Sequence, residues 1–187
     1  MKLKIVGTAF LICVLLLGIN LSARYFNTSK WINYESKQGR FRIEFPNKPI
    51  EIDKLVNSPN GELLAKIIIY DASKNKDENL SYNISYVDYP DSLVNCNDKE
   101  WCSKYFDNLN KRTVNSLHGK LEHVTIDSIE KYPMQEIKVS FKDVQALYRE
   151  ENCLVRNRLY SMSVITESKN DFNKSIDHFF NTFKLLR

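Results

Sequence analysis

A two-residue alternation of apolar and polar side chains runs through most of the chain after about residue 40 and gives way to helical spacing in two segments. Phe41, Ile43 and Phe45 alternate with charged residues, and Pro46 and Pro49 bracket the turn that follows. Alternation with period two is typical of a half-buried β-strand, whereas spacings of three and four are typical of an amphipathic helix. Strands interrupted by one helix and ended by another predict an α+β fold, an antiparallel β-sheet of about six to eight strands with helices packed on it.

The remaining strands are predicted from the same alternation and from runs of β-branched residues. Residues 50–52 are predicted as the second arm after the first turn, and residues 63–70 and 82–87 should pair as a hairpin. After the first helix, four more strands are predicted at about 120–129, 134–142, 144–155 and 158–166. This order favours an antiparallel sheet over a parallel one built from alternating strands and helices.

The two helices carry recognisable start signals. The first is predicted from about residue 98 to residue 117, with Asn97 as its N-cap and His118-Gly119 at its end, where Gly119 accepts a left-handed conformation. The second follows a capping pattern at 168–171. It carries an apolar stripe that we expect to be buried against the sheet: Phe172, Ile176, Phe179, Phe180 and Phe183.

Four of these segments resemble uncharacterised exported bacterial proteins related to the PsbP-like fold. They are GRFRIEFP at 39–46, YNISYVDYP at 82–90, VRNRLY at 155–160 and FFNTFKL at 179–185. Arg156 stands where such proteins typically have glycine. The resemblance implies an α/β/α sandwich around an antiparallel sheet, in domains that are mostly binding or assembly modules, and it carries over no functional residue.

The first 23 residues are predicted to be a signal peptide or an N-terminal membrane anchor. Lys2 and Lys4 precede an apolar run from Ile5 to Ile19, and Ala23 offers a small residue for cleavage. The segment from Ile5 to Ala23 has 19 residues, which also suits a spanning helix of about 20 residues. Both alternatives keep the two lysines inside and place the rest of the chain on the far side of the membrane.

The expected organisation is therefore a leader at 1–23, a polar linker at 24–38 and a PsbP-like domain at 39–187. We expect the domain in the periplasm or another extracytoplasmic space, with membrane contact only through residues 1–23 if these are not cleaved. The formal net charge of +4 includes Lys2 and Lys4, so the exported part is nearly neutral. Basic and acidic residues are interspersed, which argues against nucleic-acid binding because that normally needs a basic stripe.

The sequence lacks the linear motifs of catalysis and of cofactor binding. After the leader the glycines are Gly39, Gly61 and Gly119, too far apart for a phosphate-binding loop, and there is no Gly-x-Ser-x-Gly motif. His118 and His123 straddle a predicted helix end and a strand, so they do not share a face as metal ligands would. We therefore predict no catalytic, cofactor or metal site, although carboxylates brought together by folding would leave no linear trace.

Cys96 and Cys102 are the predicted disulfide pair. In an oxidising compartment a bond between them would attach the loop to the first turns of the helix. This geometry requires Cys96 to precede the helix cap, because residues six apart on one helix point to different sides. The spacing is not Cys-x-x-Cys, so a structural bond is favoured over a redox-active one.

The predicted partner-binding segment is the loop before the first helix, from Tyr89 to Trp101. Tyr89, Leu93 and Trp101 lie among polar residues, a combination of aromatic anchor and polar rim that protein interfaces favour. The alternative is that Leu93 and Trp101 only pack the helix on the sheet. The sequence thus predicts a noncatalytic binding or accessory domain with a protein partner. One alternative is a hydrolase-type enzyme with a site assembled from dispersed residues. The other is a structural subunit of an envelope complex.

Overall fold

The computed structural model describes residues 31–58, 61–75, 77–95 and 97–187. The predicted leader lies outside these residues. None of the helices in the described ranges combines the length and the apolar character that crossing a membrane requires.

The described residues form ten strands and two α-helices. The strands are β1 (Ile32–Ser36), β2 (Phe41–Phe45), β3 (Ile50–Ser58), β4 (Gly61–Asp71), β5 (Asn79–Asp88), β6 (Gly119–Ile129), β7 (Tyr132–Phe141), β8 (Ala146–Val155), β9 (Arg158–Glu167) and β10 (Lys184–Leu185). Helix α1 (Lys99–Ser116) follows β5, and helix α2 (Lys174–Asn181) follows β9; short 3₁₀ turns occur at Asp91–Leu93 and Ser168–Asn170.

Seven strands form one antiparallel sheet in the order β3-β4-β5-β9-β8-β7-β6, and the other three form a small sheet in the order β1-β2-β10. The predicted hairpin is confirmed, since β4 pairs with β5 with Ile68 opposite Ile84. The predicted fold class, an α+β fold around an antiparallel sheet, is confirmed as well.

The large sheet is the middle layer of the domain. Alternate residues of β9 show this: Leu159 clusters with Phe106 of α1, whereas Tyr160 packs edge to face on Phe41 of the small sheet at a centroid distance of 5.9 Å. Because neighbouring residues of a strand point to opposite faces, α1 covers one face, and the small sheet with α2 covers the other.

The small sheet corrects two sequence predictions. Residues 32–36, assigned to the linker at 24–38, form a strand whose Tyr34 lies opposite Ile43 of β2. Residues 50–52 do not form a second arm with β2, because β2 and β3 belong to different sheets. A strand that pairs with a distant segment, such as β10 with β2, has no local turn to reveal it.

The helix ends differ from the prediction by one or more residues. Asp98, not Asn97, caps α1, and its Oδ1 accepts hydrogen bonds from the backbone N–H groups of Glu100 (2.9 Å) and Trp101 (3.1 Å). At the other end His118, not Gly119, has the positive φ, 47°. Gly119 is needed for a different reason: a Cβ there would lie 2.5 Å from Cγ1 of Val139.

The apolar stripe of the second helix is buried except at its first residue. Ile176 and Phe179 are fully buried, and Phe180 and Phe183 nearly so, but Phe172 is 90% exposed. Asn173 caps α2 by accepting a hydrogen bond from the backbone N–H of Ile176 at 3.1 Å. The helix therefore begins after Phe172, which lies outside the helical spacing that buries the others.

Candidate functional site

The predicted partner-binding segment lies at one end of the large sheet, next to two hairpin turns. β5 ends where Asp88 pairs with Arg158 at the start of β9, and the β8–β9 turn, Arg156-Asn157, lies beside it. The backbone N–H of Tyr89 donates to the carbonyl oxygen of Asn157, and the Asn157 side-chain amide donates to the carbonyl oxygen of Tyr89, both at 2.8 Å. These two bonds attach the start of the segment to the turn.

Two of the three predicted residues are brought together by a third aromatic residue, Tyr105. Trp101 and Tyr105 stack with centroids 5.2 Å apart and an interplanar angle of 13°. Tyr89 meets Tyr105 edge to face at 6.1 Å, and the two hydroxyl groups are 3.2 Å apart. We call Tyr89, Trp101 and Tyr105 the aromatic row.

The aromatic row is half-buried. Its inner side packs on an apolar cluster of α1 and the sheet: Val87, Phe106, Leu154 and Leu159. Leu93 is also half-buried and lies in the 3₁₀ turn, where its backbone N–H donates to the carbonyl oxygen of Pro90 at 2.9 Å. These side chains therefore pack on the core and are also partly exposed. Tyr105, four residues after Trp101, is the residue of the aromatic row that sequence reasoning missed.

A cleft of about 430 Å³ opens beside this segment. We call it the end cleft. One wall is the segment itself, through Asp91, Val94 and Asn97. The other wall is made by the β6–β7 and β8–β9 turns, through Lys131, Tyr132, Arg156 and Asn157. Sequence reasoning missed this cleft because nothing in a single sequence shows that β5 pairs with β9, which brings the segment to the same end of the sheet as the two turns.

The proposed disulfide is only partly described, since Cys96 lies outside the described residues. Cys102 is buried in the first turns of α1. Burial, with a smaller effect of the Asp98 charge, raises the pKa of its thiol. Cys153 is buried in the core on the other face of the sheet, with Tyr160 and Phe179.

A belt of polar side chains lies between α1 and the sheet. Along β9, Ser161 and Ser163 separate Leu159 from Ile165, and along β8 Glu150 and Asn152 separate Tyr148 from Leu154; the flanking apolar residues belong to two different clusters. Glu150 and Asn152 lie opposite Ser163 and Ser161 in the sheet register. We call this group the polar belt: Asn83, Asn110, Thr113, Gln135, Glu150, Asn152, Ser161 and Ser163.

Glu150 is the titratable member of the polar belt, and its side chain is 1% exposed. Burial raises the pKa of this carboxyl group from 4.5 to about 7, against the opposing effect of hydrogen bonds from Asn152, Tyr148 and Thr113. Asn152 in turn accepts a hydrogen bond from the Ser161 hydroxyl at 2.5 Å. Thr113 belongs to α1, so its hydrogen bond to Glu150 links the helix to the sheet.

A second carboxyl group with a raised pKa lies next in the chain but on the opposite face. The pKa of Glu151 is raised to about 7, first by burial and then by the charge of Glu136, which lies directly opposite on β7. Arg149 forms an ion pair with Glu136. Glu150 and Glu151 therefore do not form a paired-carboxylate site, since neighbouring strand residues point apart.

The histidines do not assemble a metal site in the described part of the chain, where no three or more His, Cys, Asp or Glu side chains are suitably grouped. His123 is exposed and lies 2.8 Å from the Thr125 hydroxyl. His178, predicted to have a structural role in the second helix, is 2.8 Å from Glu44 of β2, and its ring is tilted against that of Trp31 with a centroid distance of 4.3 Å.

Comparison with solved structures supports the fold. The chain is similar to the solution structure of cyanobacterial PsbP (CyanoP) from Synechocystis sp. PCC 6803, with a TM-score of 0.58 and 12% sequence identity over 88% of this chain and 97% of that one. At this identity the similarity shows the fold alone. Neither the protein-family models nor the curated proteins that were searched match the chain. The PsbP-like fold expected from the sequence is thus confirmed.

Proposed function

We propose that this chain is a noncatalytic binding or accessory domain that recognises a protein partner with the end of its large sheet. The contact surface consists of Tyr89, Leu93 and Trp101, together with the Tyr105 ring that joins two of them. The observation that carries the proposal is the aromatic row. Its three rings are held in fixed mutual contact, and each keeps part of its surface exposed.

The physical argument is pre-organisation. Tyrosine and tryptophan supply a large contact area at a low cost in side-chain entropy, and they are enriched among the residues that dominate binding energy. Here the packing of Phe106 and Leu154 under the row and the hydrogen bonds between Tyr89 and Asn157 order it before any partner arrives. Because these side chains are already ordered in the free protein, binding a partner does not carry the entropy cost of ordering them.

Export is the second part of the proposal. It is supported by the charged start and apolar run of residues 1–23, which suit a signal peptide or an anchor. Intact-mass measurement and cell fractionation test it: the product should lack residues 1–23 or fractionate with the membrane. A full-length product that is soluble in the cytoplasm would contradict both versions.

Site-specific photo-crosslinking tests the partner surface. A photoreactive amino acid at Ser92, which is exposed within the 3₁₀ turn, should give a discrete crosslinked product in cells. The same amino acid at Asp143, which is exposed in the β7–β8 connection at the opposite end of the sheet, should give none.

Two matched substitutions accompany the crosslinking. Leu93→Ser should weaken the crosslink at Ser92, while Val144→Ser, at an apolar side chain that is 42% exposed, should not. Tyr89→Ala should also weaken it, with some loss of thermal stability because Tyr89 packs on the apolar cluster. Equal products from Ser92 and Asp143, or a crosslink that Leu93→Ser leaves intact, would place the partner surface elsewhere.

A further inference from the structure

The positively and negatively charged side chains of the end cleft lie on opposite walls. Lys131 and Arg156 belong to the two hairpin turns, and Asp91 belongs to the facing segment. All three side chains are exposed. The cleft therefore presents two cationic groups from one side and one carboxylate from the other, in a domain whose charges are otherwise interspersed.

Two residues of the hairpin turns have a left-handed backbone conformation, and one of them, Arg156, lines the end cleft. Arg156 has φ of 56°, and Glu130, directly before Lys131, also has φ of 56°. Left-handed backbone favours glycine, and an arginine there is held against its own preference. Strained positions of this kind concentrate at binding and catalytic sites, so a guanidinium at the rim of a cleft calls for a functional explanation.

The end cleft is also large for a single ion. A volume of about 430 Å³ lies within the range of pockets that take a ligand of many atoms. A charged group bound here would thus belong to a larger molecule. The end cleft adjoins the aromatic row through the Tyr89–Asn157 hydrogen bonds, so one partner segment can contact both.

We propose that the end cleft binds a carboxylate of an acidic protein segment between Lys131 and Arg156. This inference rests on the proposed function, because it names the chemistry of the partner at the same surface. A guanidinium offers paired N–H donors that match the two oxygens of a carboxylate, and a lysine adds a compact positive charge. The carboxylate of Asp91, on the opposite wall, would repel a second negative charge of the bound segment close to that wall.

Binding of defined peptides to the full-length chain, purified in mild detergent, tests this proposal. The probe is a fluorescent decapeptide of alternating glutamate and glycine, and the control probe carries glutamine in place of glutamate. The glutamate peptide should bind, its affinity should fall as salt is raised, and the glutamine peptide should not bind. Inorganic phosphate and citrate, added alone as competitors, show whether a free anion suffices.

Charge variants locate the binding. Arg156→Gly and Lys131→Gln should each weaken peptide binding by about twofold to fivefold, the range for one exposed charge contact, and Asp91→Asn should strengthen it. Arg156→Gly should fold at least as well as the parent, since glycine suits the backbone. The matched control is Arg40→Gly, which makes the same change at the same kind of position, φ 55°, outside the end cleft, and it should leave binding unchanged.

The outcomes separate this inference from the proposed function. Equal loss of binding in Arg156→Gly and Arg40→Gly would overturn the acidic-segment proposal. Displacement of the labelled peptide by phosphate at a lower concentration than unlabelled peptide requires would overturn it as well. Failure of every peptide, with the Ser92 crosslink intact and sensitive to Leu93→Ser, would overturn the inference and leave the partner surface standing. Peptide binding without any Ser92 crosslink would support the carboxylate site and overturn the proposed surface around it.

Discussion

The hydroxyl of Tyr148 donates a 2.8 Å hydrogen bond to Oε1 of Glu150, two residues further along β8. Asn152, two residues beyond, donates to Oε2 at 2.9 Å. The three side chains lie on the face of the sheet that α1 covers. The Glu150 carboxyl group is therefore buried beneath the helix, and the free energy of unfolding depends on its protonation.

Folding stability should therefore fall as pH rises through neutrality. The pKa of Glu150 is about 7 in the folded chain against an ordinary 4.5, so the folded state binds more protons than the unfolded state between these values. The stability from its protonated form is complete below pH 4.5 and is lost as pH rises through 7, by about 3 kcal/mol in total. Glu150→Gln should remove this part of the pH dependence, measured by urea unfolding between pH 4.5 and 8.5.

Glu122 is the control for this measurement, because the pKa of its carboxyl group is shifted in the opposite direction. Its pKa is lowered by hydrogen bonds from Ser140 and Lys120, so its contribution is present above its unfolded pKa and is lost as pH falls. Glu122→Gln should therefore leave the slope of stability between pH 4.5 and 8.5 unchanged, because the Glu122 contribution varies only at lower pH. If Glu150→Gln kept the parental slope between pH 4.5 and 8.5, the buried position of this carboxyl group would be wrong.

The polar belt shows where sequence reasoning stops. Glu150, Asn152, Ser161 and Ser163 are polar residues at alternate strand positions, which a sequence normally assigns to solvent. Both faces of β8 and β9 are covered, by α1 and by the small sheet, so alternation no longer marks an exposed face. The strands were predictable because their period is local. The second covering layer was not, because β10 pairs with β2 across most of the chain and because β1 lies in a segment that the sequence assigned to a polar linker.

Phe179 and Phe172 should differ sharply when each is shortened. The ring of Phe179 is fully buried and lies 5.3 Å from Phe45 and 5.4 Å from Tyr82, so Phe179→Ala should cost about 3–5 kcal/mol through lost burial and the cavity left behind. Phe172→Ala, at a side chain that is 90% exposed, should stay within about 0.5 kcal/mol. The urea concentration at the midpoint of unfolding measures this difference. Similar midpoints for the two variants would contradict the start of α2 at Lys174.

The end of α1 gives an adjacent pair with opposite expectations. His118 is exposed and has φ of 47°, so His118→Gly should be neutral or raise the free energy of unfolding by up to about 1 kcal/mol. Gly119→Ala should lower it by about 1–3 kcal/mol, since the new methyl group would meet Cγ1 of Val139 at 2.5 Å and the carbonyl oxygen of Ser140 at 2.7 Å. A His118→Gly variant that is clearly destabilised would mean that the left-handed residue is Gly119, as the sequence alone predicts.

The last prediction concerns the cysteines. Helix α1 begins at Lys99 with Asp98 as its cap, so residue 96 precedes the cap in the chain, as the Cys96–Cys102 bond requires. Cys153 lies on the other face of the sheet from α1, with Tyr160, so it is not placed to pair with Cys102. The raised pKa of the Cys102 thiol lowers its thiolate fraction and favours a structural bond over an exchanging one.

Peptide mapping of the protein isolated from cells without reductant should recover residues 96 and 102 in one linked fragment. Reduction should then lower the free energy of unfolding by about 2 kcal/mol, the chain-entropy value for so short a loop, and Cys96→Ser should reproduce that loss in the absence of reductant. A Cys96→Ser variant that unfolds at the same urea concentration as the oxidised parent, or full alkylation of Cys102 in unreduced, denatured protein, would show that the bond does not form.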